Sequence, residues 1–187
     1  MEVKEGRPKD SFHYIPILES LKILVEDETF QRNLTPHEDG SELLRDVKDG
    51  FVYRNSEFFT QNPEALCLLL YSDAVEVTNP LSFGKGKHKI VQLYWQVADI
   101  ARFQRSNVNR IQLGLVFKEK LLRKYSFSQI ASNFIGDLLV LEQEGVEVET
   151  PFKRSVKAGV LLYSGDNLGI VSNNNLTFCV GIHALNF

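Results

Sequence analysis

The chain has 187 residues, 43% hydrophobic and 24% charged, which is the balance of a soluble globular protein with one domain, with or without an appended arm. This composition excludes a disordered chain, a collagen-like chain and a disulfide-built scaffold, since the sequence has only two cysteines. A formal net charge of -3 and a pI near 5.8 exclude a protein whose whole surface binds nucleic acid or anionic lipid, although a local basic patch is compatible with them.

Residues 1–13 are charged and lack apolar periodicity, which predicts a mobile leader. No apolar stretch of a secretory signal follows Met1, and no run of apolar residues is long enough to span a membrane. We therefore expect an intracellular protein, nuclear or cytoplasmic, that has no membrane partner.

The next segment, residues 14–64, is predicted to be a helical arm. Apolar residues recur at helical spacing over 16–34, which indicates an amphipathic helix. A second helical stretch at 42–48 ends just before Gly50, a residue typical of helix ends. The aromatic segment 51–63 is interpreted as a loop or a short helix.

From residue 65 the pattern predicts a partial α/β domain, residues 65–168, followed by an irregular tail, residues 169–187. The first apolar run is long enough for a strand buried on both faces, and the next two alternate as half-buried strands do. The predicted elements are strands at 66–77, 88–98 and 111–118, a helix at 126–144, a short strand or hairpin arm at 146–150 and a strand at 156–164. The β-β-β-α-β order predicts that the last strand returns parallel to the first.

Two aspartates are associated with the apolar strands. Asp73 interrupts the first strand, where an unpaired carboxylate is costly to bury. Asp166 ends the last strand, and ligands collect at the carboxyl ends of strands in open α/β sheets. If the strands are neighbours, the two carboxylates repel each other, and Mg²⁺ or Mn²⁺ bound between them relieves the repulsion. The pattern thus predicts Asp73 and Asp166 as metal ligands and catalytic residues for phosphodiester chemistry.

A plainer interpretation of the same aspartates stays open. In it, Asp73 pairs with a Lys or Arg, and Asp166 begins a turn, where Asp and Asn are ordinary choices. A carboxylate separation beyond about 8 Å would exclude a shared or bridged ion.

Two segments resemble a group of transposase-derived proteins found in animal genomes. They are LLLYSDAVEVTNPL, residues 68–81, and LLYSGDNLG, residues 161–169, and they look like the first two catalytic segments of a DDE transposase, similar to the CACTA type. The resemblance covers roughly residues 12–169. It implies an RNase H-like fold, a DNA partner, a nuclear location and a Mg²⁺-dependent DNA recombination reaction, with Asp73 and Asp166 as the first two acids.

The chain also departs from that family. The family's third acid lies on a helix well downstream, whereas residues 167–187 contain no Asp or Glu. The resemblance therefore implies a truncated fragment of a transposable element that is inactive alone. In relatives a small zinc knuckle follows, of which Cys179 and His183 are present here, but two ligands do not hold a structural zinc. The tail is interpreted as irregular, by truncation or frameshift.

A compact basic cluster lies between the first two predicted strands. Lys85, Lys87, His88 and Lys89 form a hairpin tip that is a weak candidate for contacting phosphates of DNA. The alternative is a solvated turn. If the tip binds DNA, removal of its charges should reduce the dependence of binding on salt.

Two other functional classes stay open. The chain could be a non-catalytic transposon remnant or a recruited module that binds DNA or protein, which the absent third acid favours. It could also be a small α/β hydrolase or nucleotide binder, which only the strand-end aspartate and a glycine turn support. The sequence does not indicate an oligomeric state.

Overall fold

The structure, a computed structural model, describes residues 10–35, 44–77, 89–149 and 154–165. The leader before residue 10 and the tail after residue 168 lie outside these ranges. The elements in chain order are β1 (Phe12–Tyr14), α1 (Ile17–Glu26), α2 (Glu28–Arg32), α3 (Phe51–Arg54), α4 (Glu57–Gln61), β2 (Leu66–Glu76), β3 (Lys89–Val97), α5 (Arg102–Arg105), β4 (Gln112–Lys118), α6 (Phe127–Ile130), α7 (Ser132–Gln143), β5 (Val146–Val148), β6 (Arg154–Val156) and β7 (Ala158–Gly165), with 3-10 helices at Val47–Asp49, Val108–Arg110 and Glu119–Arg123.

Five strands form a mixed sheet in the order β1-β4-β3-β2-β7. The central strand β2 has β3 as its antiparallel neighbour and β7 as its parallel neighbour. β4 pairs antiparallel with β3, and the short β1 pairs antiparallel with the outer edge of β4. The parallel return of β7 confirms the predicted β-β-β-α-β order, because α6 and α7 lie in the connection from β4 to β7. The fold is therefore a mixed α/β fold.

One face of the sheet packs on α1 and α7. Alternate residues of β2 face this side, and Leu66, Leu68 and Leu70 are nearly inaccessible to solvent. They belong to one core with apolar residues of both helices: Ile17, Leu21 and Val25 of α1, and Phe134, Leu138 and Leu141 of α7. Helix α1 therefore belongs to the core of the sheet, although it comes from the segment predicted as a helical arm.

The other face is covered at one end by the short helices α3 and α4. A second apolar cluster lies there, formed by Phe59, Ala65, Cys67, Ala98 and Leu161. It includes the first half of β2, whereas Tyr71 and Val75 in the second half are 44% and 42% exposed. The prediction that this strand is buried on both faces is therefore wrong for its second half, because the helices end before they reach it.

The helix predicted over 16–34 is interrupted. Asp27 has an extended backbone, and its carboxylate accepts the Phe30 N–H at 2.7 Å, so it caps α2 and separates it from α1. The stretch predicted over 42–48 contains only the start of the 3-10 helix at Val47–Asp49, which begins with a capping box at Asp46. Residues 42 and 43 lie outside the described ranges.

The remaining predicted elements are confirmed with small changes. Helix 126–144 begins at a Ser126 cap and breaks at Ala131, which separates α6 from α7. The strand predicted over 156–164 is two strands, since β6 pairs with β5 as a hairpin and β7 pairs with β2. At the start of the chain, Phe12 and His13 lie in β1 and not in a leader, because the edge of β4 offers them backbone partners.

Candidate functional site

Asp73 lies near the carboxyl end of the central strand, on the face that α3 and α4 leave open. Alternation along β2 places it on the same side as Tyr71 and Val75, and its side chain is half-buried. Its neighbour on β3 is Gln92. The carboxylate thus stands on the open half of a sheet face, between the core and solvent.

The hydrogen bonding of Asp73 is local. Oδ1 accepts the N–H of the next residue, Ala74, at 2.7 Å. Among the residues that the structure describes, no Lys or Arg forms an ion pair with Asp73. In the plainer interpretation a basic side chain neutralises this carboxylate, and the described residues include no such partner for Asp73.

β2 and β7 approach each other closely just before the two aspartates. Ser72 is fully buried, and its Oγ lies 2.7 Å from the hydroxyl of Tyr163. Gly165 pairs with Ser72 in the parallel ladder, and a Cβ on Gly165 would lie 2.6 Å from that Oγ. A side chain at residue 165 would therefore push the two strands apart at this point.

Burial controls the ionisation of Tyr163. The loss of solvent raises the pKa of its phenol above the ordinary 10.0, while the hydrogen bond with Ser72 acts in the opposite direction. The phenol is neutral at physiological pH and so keeps a proton to share with Ser72. The sequence did not predict Ser72, Tyr163 and Gly165 as site residues. The available signal was the motif SGD, which places a glycine directly before Asp166.

Asp166 itself lies outside the described ranges, which end at Gly165. The last described pair of the β2–β7 ladder is Ser72 with Gly165. The next residues in the sequence are Asp73 and Asp166. The distance between the two carboxylates is not tested, and their assignment as metal ligands stays a prediction.

The predicted basic tip is described only at its last residue. Lys85, Lys87 and His88 lie outside the described ranges. Lys89 opens β3, where its Nζ lies 4.0 Å from the carboxylate of Glu119, so this lysine is matched by an acid. Lys89 is at the same end of the sheet as Asp73, because it pairs with Glu76. The contact of the tip with phosphates stays a prediction.

Clusters of potential metal ligands are absent from the described part of the chain. Within it, no group of three or more His, Cys, Asp or Glu side chains is placed to hold a metal ion. Cys179 and His183 lie outside the described ranges, so their interpretation as half of a zinc site is not tested.

The sequence did not predict a buried ion pair that lies at the other end of β2. Lys48 and Asp99 are each less than a tenth exposed, and the Lys48 ammonium donates to Oδ1 of Asp99. Oδ2 of Asp99 accepts the N–H of Cys67 at 2.7 Å. Desolvation alone would lower the pKa of Lys48, but the Asp99 carboxylate more than offsets it and raises that pKa.

Cys67 is enclosed by the same contacts. Burial, helped by the negative charge of Asp99, raises the pKa of its thiol far above the ordinary value. A thiol is a nucleophile or a metal ligand only as the thiolate. Cys67 is therefore a core residue in this structure, because the burial of its thiol outweighs the positive charges of Lys48 and Arg105, which act in the opposite direction.

A groove of about 1230 Å³ lies beside this ion pair, between α4 and β6. Its charged lining is mixed, with four basic and three acidic residues: Lys48, Arg54, Arg154 and Lys157, and Glu64, Asp99 and Glu144. A lining of mixed sign selects no single ligand chemistry, so the groove by itself indicates no substrate.

Comparison of the chain with protein-family models, with curated proteins and with solved structures finds no match. No helix in the part of the chain that the structure describes is long and apolar enough to cross a membrane. The functional argument therefore depends on the geometry of the chain itself.

Proposed function

We propose that this chain derives from a DDE-type transposase with an RNase H-like fold. Relatives of that kind cleave and join DNA strands with Mg²⁺ held by acidic side chains. In this chain Asp73 and Asp166 are the acids in question. The resemblance of residues 68–81 and 161–169 suggested this origin, and the strand topology now supports it.

One observation carries the proposal. Ser72 and Gly165 are the last described pair of a parallel ladder, and each is followed directly by an aspartate. Neighbouring strands lie about 4.8 Å apart, so carboxylates at matching levels of β2 and β7 can reach one cation. The glycine at 165 favours this approach because a larger residue would collide with Ser72.

The donor set fits a divalent cation in part. Asp73 offers a half-buried carboxylate whose hydrogen bond within the described residues is to a backbone N–H. Mg²⁺ typically uses one or two carboxylates and several waters. When bound, such an ion would lower the pKa of a coordinated water and neutralise a phosphate. The chain itself supplies the two carboxylates and the paired strands β2 and β7 that lead to them.

Binding is expected to be weak and turnover negligible. Asp73 and Asp166 supply two carboxylates, which leave the ion held mainly by water and poorly fixed. For this reason the alternative is a non-catalytic transposon remnant or a recruited module that binds DNA or protein. The two functions share an ancestry and differ in whether the cation site is used.

Metal titration tests the proposal. An ion that binds only the folded state stabilises it, by about 1.4 kcal/mol at ten times its dissociation constant, which raises the thermal midpoint by roughly 3–6 °C in a chain of this size. We expect Mg²⁺ or Mn²⁺ to produce such a shift in the parent. Asp73→Asn and Asp166→Asn should each abolish it, and either change should raise the metal-free midpoint by removing repulsion.

The exposed acid Glu64, at the opposite end of β2, provides the control. Glu64→Gln removes the same charge and should leave the metal-dependent shift intact. If Asp73→Asn keeps the full shift, the ion binds elsewhere and the proposed site is wrong. A nuclease assay of the same proteins should show no metal-dependent cleavage above background.

A further inference from the structure

The sheet face that carries Asp73 has a second property, which does not depend on the proposed cation site. Residues that pair directly across neighbouring strands lie on the same face of a sheet. The pairing of β2, β3 and β4 therefore places two rows of side chains beside each other. We call this surface the open face, and its rows are Asp73, Gln92 and Val116, and Val75, Ile90 and Lys118.

The open face is accessible to solvent, whereas the opposite face of the same strands is packed on helices. In β3, Val91 and Leu93 on the packed side are each 2% exposed, but Ile90 and Gln92 are only partly buried. Val75 in β2 is 42% exposed. The solvated face of a sheet is usually polar, so the apolar side chains in both rows favour a second layer that covers them.

Charge on the open face is balanced. Asp73 and Lys118 are its charged residues, and their charges are opposite. Within the described ranges, neither of them belongs to an ion pair. A face with no net charge does not repel a copy of itself, and each of its two charges can be matched by the opposite charge of a second copy.

The position of β3 makes the sheet suitable for symmetric pairing. β3 is the third of five strands, with β4 and β1 on one side and β2 and β7 on the other. A twofold axis along β3, midway between two facing sheets, therefore lays β2 of one copy over β4 of the other. Asp73 then faces Val116 of the second copy, and Lys118 of that copy lies two residues further, about 7 Å along β4. The long side chain of lysine can bridge this offset.

We propose that two copies of this chain associate through their open faces, with Asp73 of each copy paired with Lys118 of the other. Facing sheets pack about 10 Å apart, so the apolar residues of both rows are buried between them. A second copy is favoured over an unrelated protein because the twofold axis matches both charges at once and needs no further residue. The inference does not rest on the transposase origin.

The expected dimer is weak. Five strands about 4.8 Å apart and about 20 Å long give roughly 400–500 Å² of flat sheet per copy. Stable interfaces bury about 800 Å² per partner, so this area belongs to the class of weak contacts. We therefore expect a dissociation constant of roughly 10–100 µM.

Sedimentation equilibrium of the full chain measures the association. It is run at about 5–500 µM protein in EDTA, so that no divalent cation competes for Asp73. The parent should change from monomer to dimer as the concentration rises. Val75→Lys places a positive charge opposite Lys118 of the second copy, and Lys118→Asp places a negative charge near Asp73. Each variant alone should therefore dimerise at least about tenfold more weakly than the parent.

A mixture of these two variants identifies the partner. In a mixed dimer the introduced lysine of one copy faces the introduced aspartate of the other, so an equimolar mixture should associate about as tightly as the parent. Val75 and Lys118 are exposed, so neither change should prevent folding. Ile23→Lys is the matched control, because Ile23 is 70% exposed on α1, which packs on the opposite face. This variant should dimerise like the parent.

Three results would overturn the proposal. If the parent stays monomeric up to about 500 µM, a second copy does not bind the open face, and another part of the chain or a different protein covers it. If Val75→Lys and Lys118→Asp dimerise as tightly as the parent, the copies use another surface. If the mixture does not recover the association that each variant loses, the two rows do not face each other. The metal-dependent shift in thermal midpoint tests Asp73 and Asp166 separately, so failure of the cation site and failure of the dimer give different results.

Discussion

Gly165 occupies the position where β7 comes closest to β2. A Cβ there would lie 2.6 Å from Oγ and 3.1 Å from the carbonyl oxygen of Ser72, and neither group can move freely, since the first is hydrogen-bonded to Tyr163 and the second is backbone. The glycine thus sets the spacing of the two strands immediately before the aspartates.

We expect Gly165→Ala to lower the free energy of unfolding by about 1–3 kcal/mol, the usual cost of overpacking. In a Ser72→Ala background the cost should be smaller, because the nearer colliding atom is gone. Gly136→Ala in α7 is the matched control. A Cβ at 136 meets nothing within 4 Å, so this change should stabilise the protein by about 0.5–1 kcal/mol.

Urea unfolding followed by the fluorescence of Trp95, the single tryptophan, measures all four variants. If the costs of Gly165→Ala and Ser72→Ala add without coupling, the collision described here does not occur.

Individual residues of the candidate site differed in how well the sequence predicted them. Asp73 could be identified because it breaks an apolar strand, a signal carried by neighbouring residues. Lys48 and Asp99 could not, because their pairing joins positions 51 residues apart and neither lies in a periodic pattern. A buried charge of this kind becomes visible only when the packing of distant segments is known.

At the scale of the elements, the Lys48–Asp99 pair fastens the 3-10 helix at Val47–Asp49 to the connection after β3. The pair lies in a site shielded from water, where Asp99 also accepts a backbone N–H of β2. Removing one partner leaves the other charge buried and unpaired, which is costly.

We expect Asp99→Asn to lower the free energy of unfolding by about 3–5 kcal/mol. Lys48→Met in the same background should recover part of the loss, because no unpaired ammonium then remains buried. The exposed pair of Glu28 with Arg32 gives a contrast, and Glu28→Gln should change stability by less than about 0.5 kcal/mol. Chemical denaturation measures each cost, and an equal small effect of Asp99→Asn and Glu28→Gln would show that burial of the pair is unimportant.

The strands and the long helix were predictable because their side chains repeat locally. In β3, Val91, Leu93, Trp95 and Val97 were predicted to share a face, and all four are at most 2% exposed. The boundaries within the helical segments were less predictable. Asp27 and Ala131 interrupt helices whose apolar spacing continues across the break, because capping and packing decide where each turn ends.

At the scale of the whole molecule, several buried groups share one pH dependence. Tyr163 and Tyr14 both have a raised pKa, mainly because they are buried, and a hydrogen bond to Asp137 raises that of Tyr14 further. Burial raises the pKa of the Cys67 thiol, and Asp99 raises that of Lys48. Each group therefore holds its proton in the folded state at a pH where the unfolded chain has released it.

The sign of the resulting effect is the same for all four groups. Their contribution to stability is complete below the ordinary pKa, which is 9.0 for the thiol, 10.0 for the phenols and 10.5 for the lysine. It is lost as the pH rises through the pKa that each group has in the folded state. We expect the free energy of unfolding to fall above about pH 9, by up to about 1.4 kcal/mol per pH unit for each group.

Urea unfolding at a series of alkaline pH values measures this slope, and Tyr163→Phe should reduce it without changing its sign. A free energy of unfolding that stays constant to pH 11 would contradict the assignment of buried, protonated groups.

The parallel pairing of β2 with β7 also bears on how the chain reaches its native state. β2 can pair with β3, and β3 with β4, as soon as these neighbours in sequence are available. The other edge of β2 pairs with a segment far along the chain, where Leu66 pairs with Ala158. Closing so long a loop is entropically expensive, and non-local pairing slows folding. Until β7 arrives, the apolar edge of Leu66–Glu76 is open to a strand from another molecule. During synthesis the chain is therefore most vulnerable to aggregation in the interval between the emergence of β4 and that of β7.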